Sequence, residues 1–82
     1  MANEHIQALA LISQGDWDAA HSFIQDFHDE LACLIHAYLH REEGDLNNAN
    51  YWYSQTDQVM PDNTLEQELI RLHQLARIDT DE

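Results

Sequence analysis

Lysine is absent from this chain, and arginine occurs only at positions 41, 71 and 77. Against these three cations stand 16 Asp and Glu residues, giving a formal net charge of −13 with His neutral. Such a chain repels phosphate backbones, so nucleic acid is excluded as a partner class. Anionic membrane surfaces are excluded on the same ground. A cation, or a basic or apolar protein, fits better. Cysteine is nearly absent too. Cys33 stands alone, no intrachain disulfide is possible, and a reducing cytoplasm is the expected compartment. Met1-Ala2-Asn3-Glu4 is not a basic leader, and no signal-peptide core follows it. Long hydrophobic runs are missing: the longest, residues 8–12 and 31–35, are five residues each, where a membrane span needs ~20. With two Gly in the chain, there is no Gly-rich phosphate loop, and neither a nucleophile elbow nor a pair of catalytic carboxylates can be read.

What is present is a repeat. Ala8, Gly15-Asp16 and Ala20 recur 29 residues later as Ala37, Gly44-Asp45 and Ala49. A small residue, a Gly-Asp turn and a second small residue make a repeated helical hairpin, and such periodicity decides architecture before any single residue does. Glycine tolerates the left-handed conformation at a helix end, and the Asp after it can cap the next helix. The pattern predicts five helices in one all-α domain. The first spans about 3–14, with Ile6, Leu9 and Ala10 beside Ile12 and Ser13. The second runs to about 27, with Trp17, Ala20, Ile24 and Phe27 on one stripe. The third spans about 29–43, with Leu31, Leu34, Ile35, Tyr38 and Leu39 as a broad apolar face. The fourth, about 46–55, buries Leu46, Ala49 and Tyr53. Thr64-x-x-Gln67 is a capping box opening a fifth helix to about 78, with Leu65, Leu69, Leu72 and Ala76 inward. Glu66 and Glu68 near its start and Arg77 near its end match the macrodipole. Residues 79–82 read as a frayed acidic tail. A domain this small buries only ~60–65% of its unfolded surface, so self-association would relieve a thin core.

Ala37, Gly44-Asp45, Ala49, Tyr53 and Pro61-Asp62-Asn63 stand where tetratricopeptide repeats carry a small residue, the turn, a second small residue, an aromatic and the terminal Pro. The chain therefore resembles that family: two tetratricopeptide-like antiparallel hairpins and a C-terminal capping helix. The period of 29 is shorter than the usual ~34, and Cys33 and His40 replace the leading aromatics. A second resemblance is to a family of small bacterial proteins carrying a run like His36-Ala37-Tyr38-Leu39-His40-Arg41-Glu42-Glu43-Gly44-Asp45, then one like Asn48-Ala49-Asn50-Tyr51-Trp52-Tyr53, with Gly15 to His21 upstream. It implies the same fold and transfers no catalytic residues.

Cys33, His36, His40 and Glu43 share an arc of roughly 80° on the third helix, at ~100° per residue. Cys33 and His40 are about 10 Å apart along the axis, so one ion cannot bind all four. His36 and His40, one turn apart, could grip one ion, with His21 of the second helix as third ligand to a transition metal such as zinc. The bland reading is that inward His residues satisfy buried hydrogen bonds. Ala37 follows the first His where a zinc protease would carry Glu. Cys33 lies in an apolar run that keeps a thiol inert. Of Tyr51-Trp52-Tyr53, only Tyr53 aligns with the core, which leaves Tyr51 or Trp52 for the fifth helix, a partner or solvent.

The surface corresponding to tetratricopeptide ligand grooves offers His5, Leu9, Leu31, Leu34, Tyr38 and Arg41. Arg41 is its one fixed cation, which disfavours a carboxylate clamp. The sequence thus ranks first a non-enzymatic protein-interaction module without a cofactor. Its apolar, acidic-rimmed surface would be formed by Leu31, Leu34, Tyr38, Arg41, Tyr51 and Trp52, for a protein partner or a homodimer. The runner-up is a small metal-binding protein or metalloenzyme using His21, His36 and His40.

Overall fold

The structure, a computed structural model, describes residues 3–80, and the side chains of residues 3–78. Five helices follow in order: α1 (Glu4–Ser13), α2 (Trp17–Ile24), α3 (Glu30–Glu42), α4 (Leu46–Tyr53) and α5 (Leu65–Thr80). There is no strand among the described residues. None of the helices there is long and apolar enough to cross a membrane.

The two Gly-Asp turns are built alike. Gly15 and Gly44 have φ of +78° and +88°. Gly15 donates its N–H to Ile12 O and Asp16 donates to Leu11 O. Gly44 and Asp45 donate to Arg41 O and His40 O, the same bonds 29 residues on. These bonds satisfy helix-end carbonyls, and they need the left-handed residue that glycine supplies. Asp16 and Asp45 then accept from Ala19 N and Asn48 N. The side chains of Thr64 and Gln67 exchange bonds with each other's backbone N–H groups, closing the expected capping box.

Helices α1 and α2 form one antiparallel hairpin and α3 and α4 the next, with α2 and α3 also in contact. Helix α3 is the core of the molecule: residues 31–40 are all buried. Helix α5 packs on α3 and α1, in the groove between the two hairpins' first helices. The small Ala8, Ala20, Ala37 and Ala49 are all fully buried, as close helix approach requires.

Several expectations need correction. The buried stripe of α1 is His5, Ala8, Leu9 and Ile12, while Ile6 is half-exposed and Ala10 exposed. Leu46 is exposed, although its repeat mate Trp17 is half-buried. The difference has a cause: Trp17 lies against α3, where its indole N–H donates to Leu39 O at 2.8 Å, and no helix packs on α4 as α3 packs on α2. Helix α2 ends at Ile24 rather than near 27. Helix α5 includes residues 79 and 80, half of the expected tail; residues 81 and 82 lie outside the described residues.

Candidate metal centre

The turn after α1 sets the start of α2, and so places His21 one turn into the helix facing α3. His36 and His40 sit one turn apart on α3. The ligand nitrogens of His21, His36 and His40 all lie within 4.8 Å of one another. The Nε2 atoms of His21 and His36 are 3.1 Å apart. A tetrahedral ion about 2.1 Å from each of three imidazole nitrogens needs them about 3.4 Å apart. The His21–His36 pair, at hydrogen-bond distance, is already near that value, and no pair would have to close by more than about 1.4 Å.

Each ring is held by a neighbour. Trp17 stacks on His21 with centroids 4.8 Å apart and planes 7° from parallel. Trp52 stacks on His36 at 3.9 Å and 15°. His40 Nδ1 lies 2.7 Å from Glu43 Oε2. A carboxylate oxygen accepts, so Nδ1–H is the donor in this contact. This carboxylate–histidine pairing is how metal-binding imidazoles are oriented.

The electrostatics favour neutral rings. Burial, then the neighbouring His21, His40 and His28, pulls the pKa of His36 down to about 4. Burial and His40 lower that of His21, opposed by Glu43 and Asp18. Neutral imidazoles are the form that ligates a metal. His36 Nδ1 is buried with no hydrogen-bond partner, a cost of about 1–3 kcal/mol.

The remaining sequence candidates go elsewhere. Cys33 is buried, its Sγ 3.7 Å from His28 O. Burial and the nearby Asp29 and Glu30 push its thiol pKa up, so it is inert. Leu31, Leu34 and Tyr38 are 6%, 1% and 4% exposed: the open apolar face expected there is taken by the chain's own α5. Arg41 is no free clamp. Its guanidinium donates to Asn63 Oδ1 and Asn63 O and reaches Tyr53 Oη, tying α3 to the segment before α5. Trp52 is half-buried against His36, and Tyr51, which is exposed, meets Trp52 edge-on at 5.2 Å.

One group escaped the sequence reading. Glu68, read from the sequence only as a macrodipole residue, is fully buried. Arg71 grips it through Nε and Nη2, both at 2.8 Å. Tyr53 Oη and Asn63 Nδ2 also donate to it, and Arg71 continues to Gln58 Oε1. Burial works against its ionisation, but the hydrogen bonds from Arg71, Asn63 and Tyr53 outweigh that and hold its pKa below the usual range. This network fastens α5 and is separate from the histidines.

Comparison with protein-family models, with curated proteins and with solved structures gives no match to the chain.

Proposed function

We propose that this domain binds one transition-metal ion through His21, His36 and His40. The observation that carries the reading is the convergence of three imidazole nitrogens within 4.8 Å, with Glu43 on the far nitrogen of His40. The donor set is borderline-soft and uncharged, suiting zinc, copper, nickel or cobalt rather than magnesium or calcium. Three protein ligands leave the fourth position of a tetrahedral ion open, the arrangement of catalytic rather than structural zinc. Helix α5 covers most of the apolar face that the interaction-module reading invoked, burying Leu31, Leu34 and Tyr38.

The test uses untagged protein purified without chelator, analysed for metal and titrated with zinc and with cobalt(II). One equivalent should bind, and cobalt should give the visible bands of a four-coordinate nitrogen site. Alanine at His21 or His40 should abolish stoichiometric binding. Glu43→Gln should weaken it by about 10–100-fold, the usual effect of removing an orienting carboxylate. Absence of binding at millimolar metal, or full binding by the His21→Ala variant, overturns the assignment.

A further inference from the structure

Helix α5 does not close the groove along its whole length. A cleft of about 320 Å³ remains between the N-terminal turn of α3 and the C-terminal half of α5. Leu31, Leu34, Leu75 and Ile78 line it, and Asp29 and Glu30 stand at its edge. Gln58 completes the lining; the next residue, Val59, is 83% exposed, and Ile78 is 71% exposed. Ile78, a large apolar side chain in the wall of the hollow, thus stands mostly in water. The volume lies at the lower end of the ~300–1,000 Å³ range of small-molecule sites. It matches one or two large aliphatic or aromatic side chains.

Charge selects among the occupants. The Asp29 side chain is 47% exposed although it caps α3 and meets His5, and the exposed Glu30 carboxylate meets the neutral amide of Gln58. Behind them stands a chain of net charge −13 with no Lys. A second copy would bring the same acids against the same rim. It would have little to answer them: there is no Lys, Arg41 and Arg71 are committed to Asn63 and Glu68, and Arg77, beside Ile78, is engaged as well. We propose that this cleft docks an amphipathic segment of a basic protein partner, which seats a large apolar side chain against Leu75 and Ile78 and sets Lys or Arg against Asp29 and Glu30. The apolar anchor supplies affinity, and the opposite charges supply steering and orientation. This site is independent of the histidine centre.

The probe is a synthetic helical peptide of Leu and Lys, titrated into the ¹⁵N-labelled chain and followed in parallel by fluorescence anisotropy. Saturable binding is expected, with shifts concentrated at residues 29–34 and 75–78. A peptide of equal charge with Ser in place of Leu should bind about tenfold or more weakly, as should a Leu/Glu peptide. Ile78→Asp should cost a similar factor, with an unchanged circular dichroism spectrum because Ile78 is exposed. Glu30→Gln should weaken binding by a smaller factor. Equal affinity for the Ser/Lys peptide, unaltered binding by Ile78→Asp, or shifts spread over the acidic surface overturns the proposal. So does a resting dimer, seen by light scattering, that Ile78→Asp dissolves, since the occupant would then be a second copy.

Discussion

His36 concentrates the physics of this molecule in one side chain. It is buried under Trp52, shares a proton position with His21, and has its pKa drawn down to about 4. The unfolded value is 6.5. Above 6.5 both states hold a neutral ring, and the shift contributes nothing to stability. Below it the unfolded chain takes up a proton that the folded chain refuses, so stability falls as pH drops, with the full loss reached near 4. The difference amounts to about 2 kcal/mol at pH 5 and about 3 kcal/mol at pH 4. In metal-free protein, urea melts of wild type and His36→Gln across that range should show the stability of wild type falling by these amounts relative to the variant. A constant difference would mean the ring is solvated. Glu68 adds a lower transition of the usual carboxylate sense. Its depressed pKa contributes stability above the unfolded value, lost as pH falls through the folded one. The histidines were legible because their spacing, on stripes already set by Ala20, Ile24 and Ala37, made them face inward. Glu68 was not, because a carboxylate near a helix N-terminus has a sufficient surface explanation, and nothing in one chain's spacing announces that Tyr53, Asn63 and Arg71 meet there.

Among the elements, the turns were the most legible parts, since Gly-Asp at a 29-residue interval encodes both a stop and a cap. Their strength rests on backbone conformation. A Cβ placed on Gly44 would meet nothing within 4 Å, so a substitution there is penalised by its φ of +88° alone. Gly44→Ala should therefore lower stability by about 1 kcal/mol or somewhat more. Gly44→Asn, whose side chain tolerates the left-handed region, should lose less. If alanine costs no more than asparagine in urea denaturation, the turn is not held left-handed in solution. Helix faces were less legible than helix ends. On α1 the residues Ile6 and Ala10 form an i, i+4 pair as plausible as His5 and Leu9. The choice falls to His5 because Asp29, the N-cap of α3, meets its Nε2 at 2.6 Å. The placement of α5 was beyond local pattern altogether. Its apolar stripe would serve against α4 or across α1 and α3 equally well, and only packing shows that it occupies the groove and hides Leu31, Leu34 and Tyr38.

At the scale of the whole molecule, 16 carboxylates stand against three guanidinium groups in the sequence, and the described residues fold into a body of 34 × 26 × 23 Å. Folding forces like charges together that the extended chain keeps apart, and this self-repulsion opposes the compact state. At about 0.01 M ionic strength the Debye length is ~30 Å, as large as the molecule, and every carboxylate feels the others. At 0.15 M it is ~8 Å and most exposed pairs are screened. The buried Glu68–Arg71 pair, with Glu68 wholly out of solvent, is screened far less, so salt removes repulsion while leaving the main internal ion pair. Stability should therefore rise with salt, and a relief of about 1 kcal/mol would raise Tm by about 4–8 °C for a domain of this size. Sodium and potassium chloride should act alike, with the gain levelling off as the Debye length shrinks. Zinc at the three histidines should behave differently. Its stabilisation follows mass action, reaching about 2.7 kcal/mol at a free concentration a hundred times Kd, and it should vanish in His36→Ala. The same variant should keep the whole of its response to sodium chloride. A salt response lost with His36, or a Tm that falls as salt is added, would show that local pairing rather than net charge governs the stability of this fold.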